Sequence, residues 1–345
     1  MGENPRKILI PMESILIEHS DGRLLIDEIG EGRRRLTVTP ASADVFVHEP
    51  TCTTAYPVDL IQAMLETHGV GGLCFEIMRE EDPSYIERLI RNDIFAYFDR
   101  QEIDGMRILD FGCGDGAATF ILSRMFPKSE IIGVELVPGA LAIARKRAAY
   151  YQNPRVTFID SPIPDTLPHN LGSFDFIVMS AVYEHLLPDE RPSIMRKLWK
   201  RLNDGGHLFL NQTPNGLFPV ELHTTMLPLI NYLPDNVTLL ASRKFSRKTK
   251  RDESWEMLLR KGIRGATEWE IHHLLGDERS TAVMLEPSRD GLRDRIDLYY
   301  KNTNSKRLRT VKSAARIAIK LLRKTTGIAM IPDLSLAFKK MPRLN

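Results

Sequence analysis

Asp110 and the glycines at 112, 114 and 116 form the most chemically suggestive spacing in this chain. Arg107 and the apolar pair Ile108-Leu109 lead into the acid, and an amphipathic segment, 117–126, follows the last glycine. A strand, a tight glycine turn and a helix are implied, and such a turn lets a ligand touch backbone and the free N–H groups of a helix N-terminus. Two further acids, Glu135 and Asp160, fall at the ends of apolar strand-like runs, and Ser161 follows the second. Ser180 closes another such run, with Glu184-His185 just beyond it. Histidine exchanges protons near neutral pH, so His185 is suited to deprotonate a hydroxyl, with Glu184 to orient it or couple to its charge. Glu221 and His223 are second-choice residues on the acceptor side. Phe218, Tyr232, Trp255 and Trp269 are candidates to line an apolar acceptor pocket. The implied chemistry is a nucleotide-like cofactor held beside a general base.

The elements that must position these residues alternate. Strands are expected at 108–111, 131–136, 156–159, 176–179 and 207–211, with helices at 117–126, 138–150 and 187–203 between them. This βαβ rhythm implies an α/β fold with a doubly wound, mostly parallel sheet, and ligands bind such sheets beyond the carboxyl ends of the strands. Residues 1–100 read as an N-terminal α+β cap. It opens with a hairpin turning at Asp21-Gly22 and continues with helical segments in 57–98. The core spans 101–213. A proline-containing, charge-rich stretch, 214–265, interrupts the rhythm and reads as an insertion covering the substrate. Thr267 with Glu270 has capping-box form and starts a helix, and the core resumes over 266–300 with two last strands at 281–285 and 296–300.

Composition narrows the function classes. The chain has 345 residues, 43% hydrophobic and 27% charged, with a net charge of +2, which argues neither for nucleic acid nor for membrane as a partner. Three cysteines without metal spacing fit a reducing cytoplasm, and the first residues lack the apolar core of a signal peptide. No apolar run approaches the roughly 18–20 residues of a membrane span. Two segments are basic nevertheless: 243–251 has six Lys/Arg in nine residues, and 301–324 has nine Lys/Arg and no acid. The second, within the tail 301–345, reads as an amphipathic helix packed on the domain with a solvated basic face. A weak peripheral membrane contact through 305–324 is the alternative.

Gly112-x-Gly114-x-x-Ala117 alone fits dinucleotide and S-adenosylmethionine (SAM) sites equally. The acid two residues before the first glycine, the acid after the third strand and the turn Leu202-Asn203-Asp204-Gly205-Gly206 separate them. Together these resemble the class I SAM-dependent methyltransferases. Asn203-Asp204 replaces the usual Lys-Pro of that family's turn. Phe174-Asp175-Phe176-Ile177, Glu184-His185-Leu186 and Thr213-Pro214-Asn215 resemble the branch that includes ubiquinone-biosynthesis O-methyltransferases. The resemblance covers 106–216 well and 267–300 loosely.

The resemblance implies a seven-stranded Rossmann-like core with SAM as cofactor and S-adenosylhomocysteine as product. Asp110, Gly112, Gly114 and Gly116 would line the methionine end, Glu135 would bind the ribose hydroxyls, Asp160 and Ser161 would hold adenine, and Ser180 would close the pocket. His185, Glu184 and His223 would serve catalysis. Some relatives bind a metal through Glu-x-x-Glu-His. Ala181 stands at the first of these positions here, so no metal is expected. The expected activity is methyl transfer to a small-molecule or glycan-like acceptor, at oxygen, in the cytoplasm. The alternatives are an RNA methyltransferase using the basic segments and a catalytically silent SAM-binding scaffold. An NAD-dependent dehydrogenase is left with the bare glycine pattern.

Overall fold

The alternation of apolar residues in 14–40 builds the first sheet. The computed structural model describes residues 14–161, 163, 166–303 and 309–343, with side chains described from 312 onward in the last stretch. Strands β1 (Ser14–His19), β2 (Gly22–Gly30), β3 (Arg33–Pro40) and β4 (Thr51–Thr54) pair antiparallel in that order. Ser20-Asp21 is the two-residue loop of the expected hairpin, since His19 pairs with Gly22. The alternate residues Leu24 and Ile26 of β2 and Leu36 and Val38 of β3 are buried with Leu60, Met64, Leu73 and Ile77 of the helix Val58–Glu81.

Two compact units result. The first comprises residues 1–88, 114–121 and 137–154, and the second 89–113, 122–136 and 155–345. The first unit is therefore not confined to the N-terminal hundred residues. It takes in the helix Pro138–Tyr151, whose Ile143, Tyr150 and Tyr151 complete its core. A buried ion pair lies inside it: Arg147 Nη1 is 2.6 Å from the Asp115 carboxylate and also donates to the Asp115 carbonyl at 2.9 Å. Burial alone would raise the Asp115 carboxyl. The Arg147 guanidinium, with His68, reverses that and holds it well below the ordinary carboxylate range.

The second unit holds the doubly wound sheet. Its strands are β5 (Arg107–Phe111), β6 (Glu130–Glu135), β7 (Val156–Asp160), β8 (Phe174–Ser180), β9 (Leu202–Pro214), β10 (Ser280–Leu285) and β11 (Asp333–Pro342). They lie in the order β10-β11-β9-β8-β5-β6-β7. β5 to β9 pair parallel, and β11 is antiparallel to both of its neighbours. The core is formed by Leu109, Ile132, Ile177, Met179, Leu208 and Leu210 of the strands with Leu198 and Trp199 of the helix Glu190–Arg201. The Gly205-Gly206 turn is absorbed as a bulge inside β9: Phe174 pairs with Leu202, yet Phe176 pairs with His207.

Two expectations change. Residues 296–300 are helical, not a strand: Asp294 accepts from the Asp297 N–H at 2.8 Å and caps the helix Arg295–Asn302. The strand expected there is β11, in the segment read as a basic tail. Leu334, Leu336 and Phe338 alternate into the core, and the buried Lys340 donates to the carbonyls of Trp199 and Leu202 at 3.0 and 2.7 Å. The amphipathic helix Arg309–Thr326 also faces the other way from expectation. Arg316 pairs with Asp297, Lys320 with Asp294 and Asp297, and Arg323 with Glu286, while Ile317 and Leu321 are each 61% exposed. Residues 305–308 of that segment lie outside the described residues. The excursion 214–265 is closed at its neck, where the Gly216 N–H donates to Ala266 and the Ala266 N–H to Pro214, each at 2.8 Å.

Asp93 ties three elements of this unit together. Its carboxylate accepts from Asn211 of β9 at 3.2 Å and from Asn302 at 2.5 Å, with no ion pair among the described residues. Burial raises its carboxyl from 3.8 to about 6. The folded chain thus keeps this proton to higher pH than the unfolded chain does. Its contribution to stability should fall as pH rises from about 4 to about 6 and then level off. Thermal melts across that window should show the slope, and Asp93→Asn should flatten it.

Candidate functional site

Parallel pairing brings the strand ends to one edge of the sheet. Asp110 lies opposite Gly133 of β6 and Val178 of β8, and Glu135 lies opposite Asp160. Asp110, Glu135, Asp160 and Ser180 therefore stand at or beside the carboxyl ends of four neighbouring strands. Asp110 is buried, Glu135 half-buried and Asp160 exposed. The turn after β5 has the backbone that glycine favours, with φ of 73°, 56° and 85° at Gly112, Gly114 and Gly116. At Gly112 space is as tight as conformation, because an added Cβ would lie 2.6 Å from Val182 Cγ2.

Ser180 and Ser161 differ in what they can offer. The Ser180 hydroxyl donates to Asn211 Oδ1 at 2.6 Å, which leaves its lone pairs to accept. The Ser161 N–H donates to the Glu135 carbonyl and its hydroxyl to the Thr166 carbonyl, at 2.8 and 2.9 Å. Ser161 thus has its donors engaged in holding the loop after β7.

Beyond β8 the chain turns sharply. Ala181 adopts a left-handed φ of 53°, and its N–H donates to the Asn211 carbonyl at 3.0 Å. The short turn Tyr183–His185 follows and carries Glu184 and His185, and His223 of the excursion comes beside them. Glu184 is fully buried: one oxygen accepts from the Thr213 hydroxyl at 3.2 Å, and the other, without a hydrogen-bond partner, lies 3.8 Å from His185 Nε2. Burial pushes the Glu184 carboxyl up to about 7, against the opposing pull of the Thr213 hydroxyl. His185 Nδ1 is 2.7 Å from the Arg260 carbonyl, so it carries the proton and Nε2 is left to accept one. The His223 ring centre is 5.6 Å from that of His185, and burial lowers its pKa. One donor atom from each of Glu184, His185 and His223 lies within 4.8 Å of the others, so they could also hold a divalent ion.

The excursion 214–265 supplies the far side. Glu221 accepts from the backbone N–H groups of His223, Thr224 and Thr225, and so shapes the turn that presents His223. A cavity of about 170 Å³ is lined by His223, Leu222, Val220, Ile263 and Asp333. A larger one, about 980 Å³, lies among Arg196, Asp204, Glu278 and Lys340 and includes none of the expected site residues. Of the aromatic candidates, Trp255 packs on the small Ile230–Leu258–Ile263 cluster, and Trp269 is exposed and stacked on His273.

Residues 108–206 match the family model described as "Methyltransferase domain". Over these residues the chain is similar to methyltransferase domains. Among curated relatives, the malonyl-[acyl-carrier protein] O-methyltransferase of Priestia megaterium is 31% identical over 133 residues, 39% of this chain and 44% of that protein. The carboxy-S-adenosyl-L-methionine synthase of a Shewanella species is 26% identical over 161 residues, 46% of this chain and 64% of that protein. The chain therefore spans less than two thirds of either relative. Among solved structures, the plantazolicin methyltransferase BamL, in complex with a triazolic desmethylPZN analog and SAH, covers 82% of this chain and 96% of its own, at 15% identity and a TM-score of 0.44.

Three residues serving this site escaped sequence reasoning. Arg260 comes from the excursion, and its carbonyl selects the His185 tautomer. Asn211 orients Ser180 and binds Asp93. Gly262 has φ 87°, and a Cβ there would lie 2.8 Å from His223 Cδ2 and 3.0 Å from Glu184 Cγ. Only its place near the end of the excursion hinted at a role. Gly262→Ala should cost about 1–3 kcal/mol in urea unfolding, through the left-handed backbone and the clash. It should also displace His223, read as a shift of that imidazole's NMR titration.

Proposed function

We propose that this chain transfers the methyl group of SAM to a hydroxyl of a small-molecule or glycan-like acceptor. The observation that carries the reading is the His185 arrangement: Nδ1 bound to the Arg260 carbonyl, Nε2 left to accept, and a buried carboxylate 3.8 Å from it. SAM supplies an activated methyl on a sulfonium centre. Asp110 and the glycine turn would hold its amino-acid end, Glu135 its ribose hydroxyls and Asp160 its adenine amino group. The fit is supported by the tight turn at Gly112 and by acids aligned at adjacent strand ends. His185 Nε2 would take the acceptor proton as the oxygen attacks, and the Glu184 carboxylate would stabilise the resulting imidazolium. The excursion 214–265 would exclude water. One relative is named for O-methylation, which favours oxygen as the acceptor atom.

Calorimetry with SAM and S-adenosylhomocysteine should show binding of both, and no heat with either would sink the reading. Glu135→Gln should weaken binding about ten- to a hundredfold, the worth of charge-assisted hydrogen bonds. His185→Ala should leave cofactor affinity intact. It should also lower methylation of extract fractions by labelled SAM about a hundredfold or more. A metal-assisted reading is favoured by the same Glu184, His185 and His223 donors. It expects chelation to abolish turnover and a divalent ion to restore it, whereas the proton-transfer reading expects neither.

A further inference from the structure

The helix Asp235–Phe245 exposes an apolar stripe, although Leu239 on its inner side already packs on the Ile230–Leu258–Ile263 cluster. Its buried face carries hydroxyls: Thr238 donates to the Ile230 carbonyl at 3.1 Å and Ser242 to the Thr238 carbonyl at 2.7 Å. Its outer face carries Val237, Leu240 and Phe245, the last two 66% and 64% exposed. A helix that faces only water places polar residues on its outer face. The loop before it adds to this face. Met226 and Leu229 hold left-handed φ values of 61° and 62°, strained for side chains of this kind, with both side chains exposed. Ser246 Oγ donates to the Thr225 carbonyl at 3.0 Å, which ties the helix end to that loop.

Cations border the same face. Lys244 lies on the apolar stripe, 5.3 Å from the Phe245 ring centre, and Arg247, Lys248, Lys250 and Arg251 follow it. Each is exposed, and none is ion-paired among the described residues. The helix Arg309–Thr326 also exposes apolar residues, but Arg316, Lys320 and Arg323 there are neutralised by Asp297, Asp294 and Glu286.

We infer that the face formed by Met226, Leu229, Leu240 and Phe245 with the cations of 244–251 docks on an anionic lipid bilayer. Exposed aliphatic side chains beside unpaired cations match the acyl boundary and the headgroup charge of such a surface. A second copy of the chain fits poorly, because a two-fold contact through this face would set the cations against each other. Single-stranded nucleic acid would use aromatic stacking platforms, whereas this face is mainly aliphatic.

Vesicle flotation of the full chain tests this, with phosphatidylcholine alone and with phosphatidylcholine plus phosphatidylglycerol. The chain should float with the anionic vesicles only, and added salt should release it. The exposed pair Leu240→Ser with Phe245→Ser should weaken binding about tenfold or more without changing the melt. Lys244→Gln with Arg247→Gln and Lys248→Gln should weaken it about a hundredfold. No flotation, or flotation unaffected by the serine pair, overturns the inference. So does a concentration-dependent dimer or an RNA complex that the same substitutions abolish while vesicle binding stays absent. None of these outcomes depends on methyl transfer.

Discussion

Parallel strand pairing is the constraint on which the site rests. When β5 to β8 run the same way, their carboxyl ends share one edge, and the residues that terminate them become neighbours however far apart they lie in the chain. Asp110, Glu135, Asp160 and Ser180 come to one edge for that reason. The apolar interiors of β5, β6 and β8 make their register hard to slip, since each is buried on both faces. Positioning of the polar ends is thus a by-product of the packing of the middles.

The same reasoning explains what could be read beforehand. The parallel strands and the helices between them carry their signal locally, as short apolar runs and longer amphipathic ones, and the glycine turn declares its own backbone. Thr267 and Glu270 announced their helix in the same way and form both bonds of the capping box. Where local pattern and tertiary need diverge, the local pattern misleads. Ile296 and Leu298 flank Asp297 as in a strand, yet Arg295 and Asp297 are buried ions whose partners, Glu268, Glu286, Arg316 and Lys320, lie elsewhere in the chain. β11 was hidden by its lysines, although Leu334, Leu336 and Phe338 held the alternation.

The candidate site divides along the same line. Its strand-end acids and His185 were legible because motif and element coincide. The residues that tune them were not, because each acts across a long stretch of sequence: Arg260 on His185, Thr213 on Glu184, Asn211 on Ser180. The Arg147–Asp115 pair of the first unit is of the same kind. Asp115 sits between two glycines and reads as a turn residue, yet it is a buried counter-ion. Removing one member of such a pair leaves the other charged and unpaired, so the two are obligate partners rather than additive stabilisers.

The antiparallel strand β11 has a temporal meaning. It lies between β9 and β10, yet it is made after both. During synthesis β10 emerges with no strand to pair with, and β9 offers an open, apolar edge until β11 arrives. That edge is open to wrong pairing in a nascent chain. Closure of the sheet therefore waits on the segment carrying Leu334, Leu336 and Phe338, and the β9 edge is open during synthesis rather than in the finished fold.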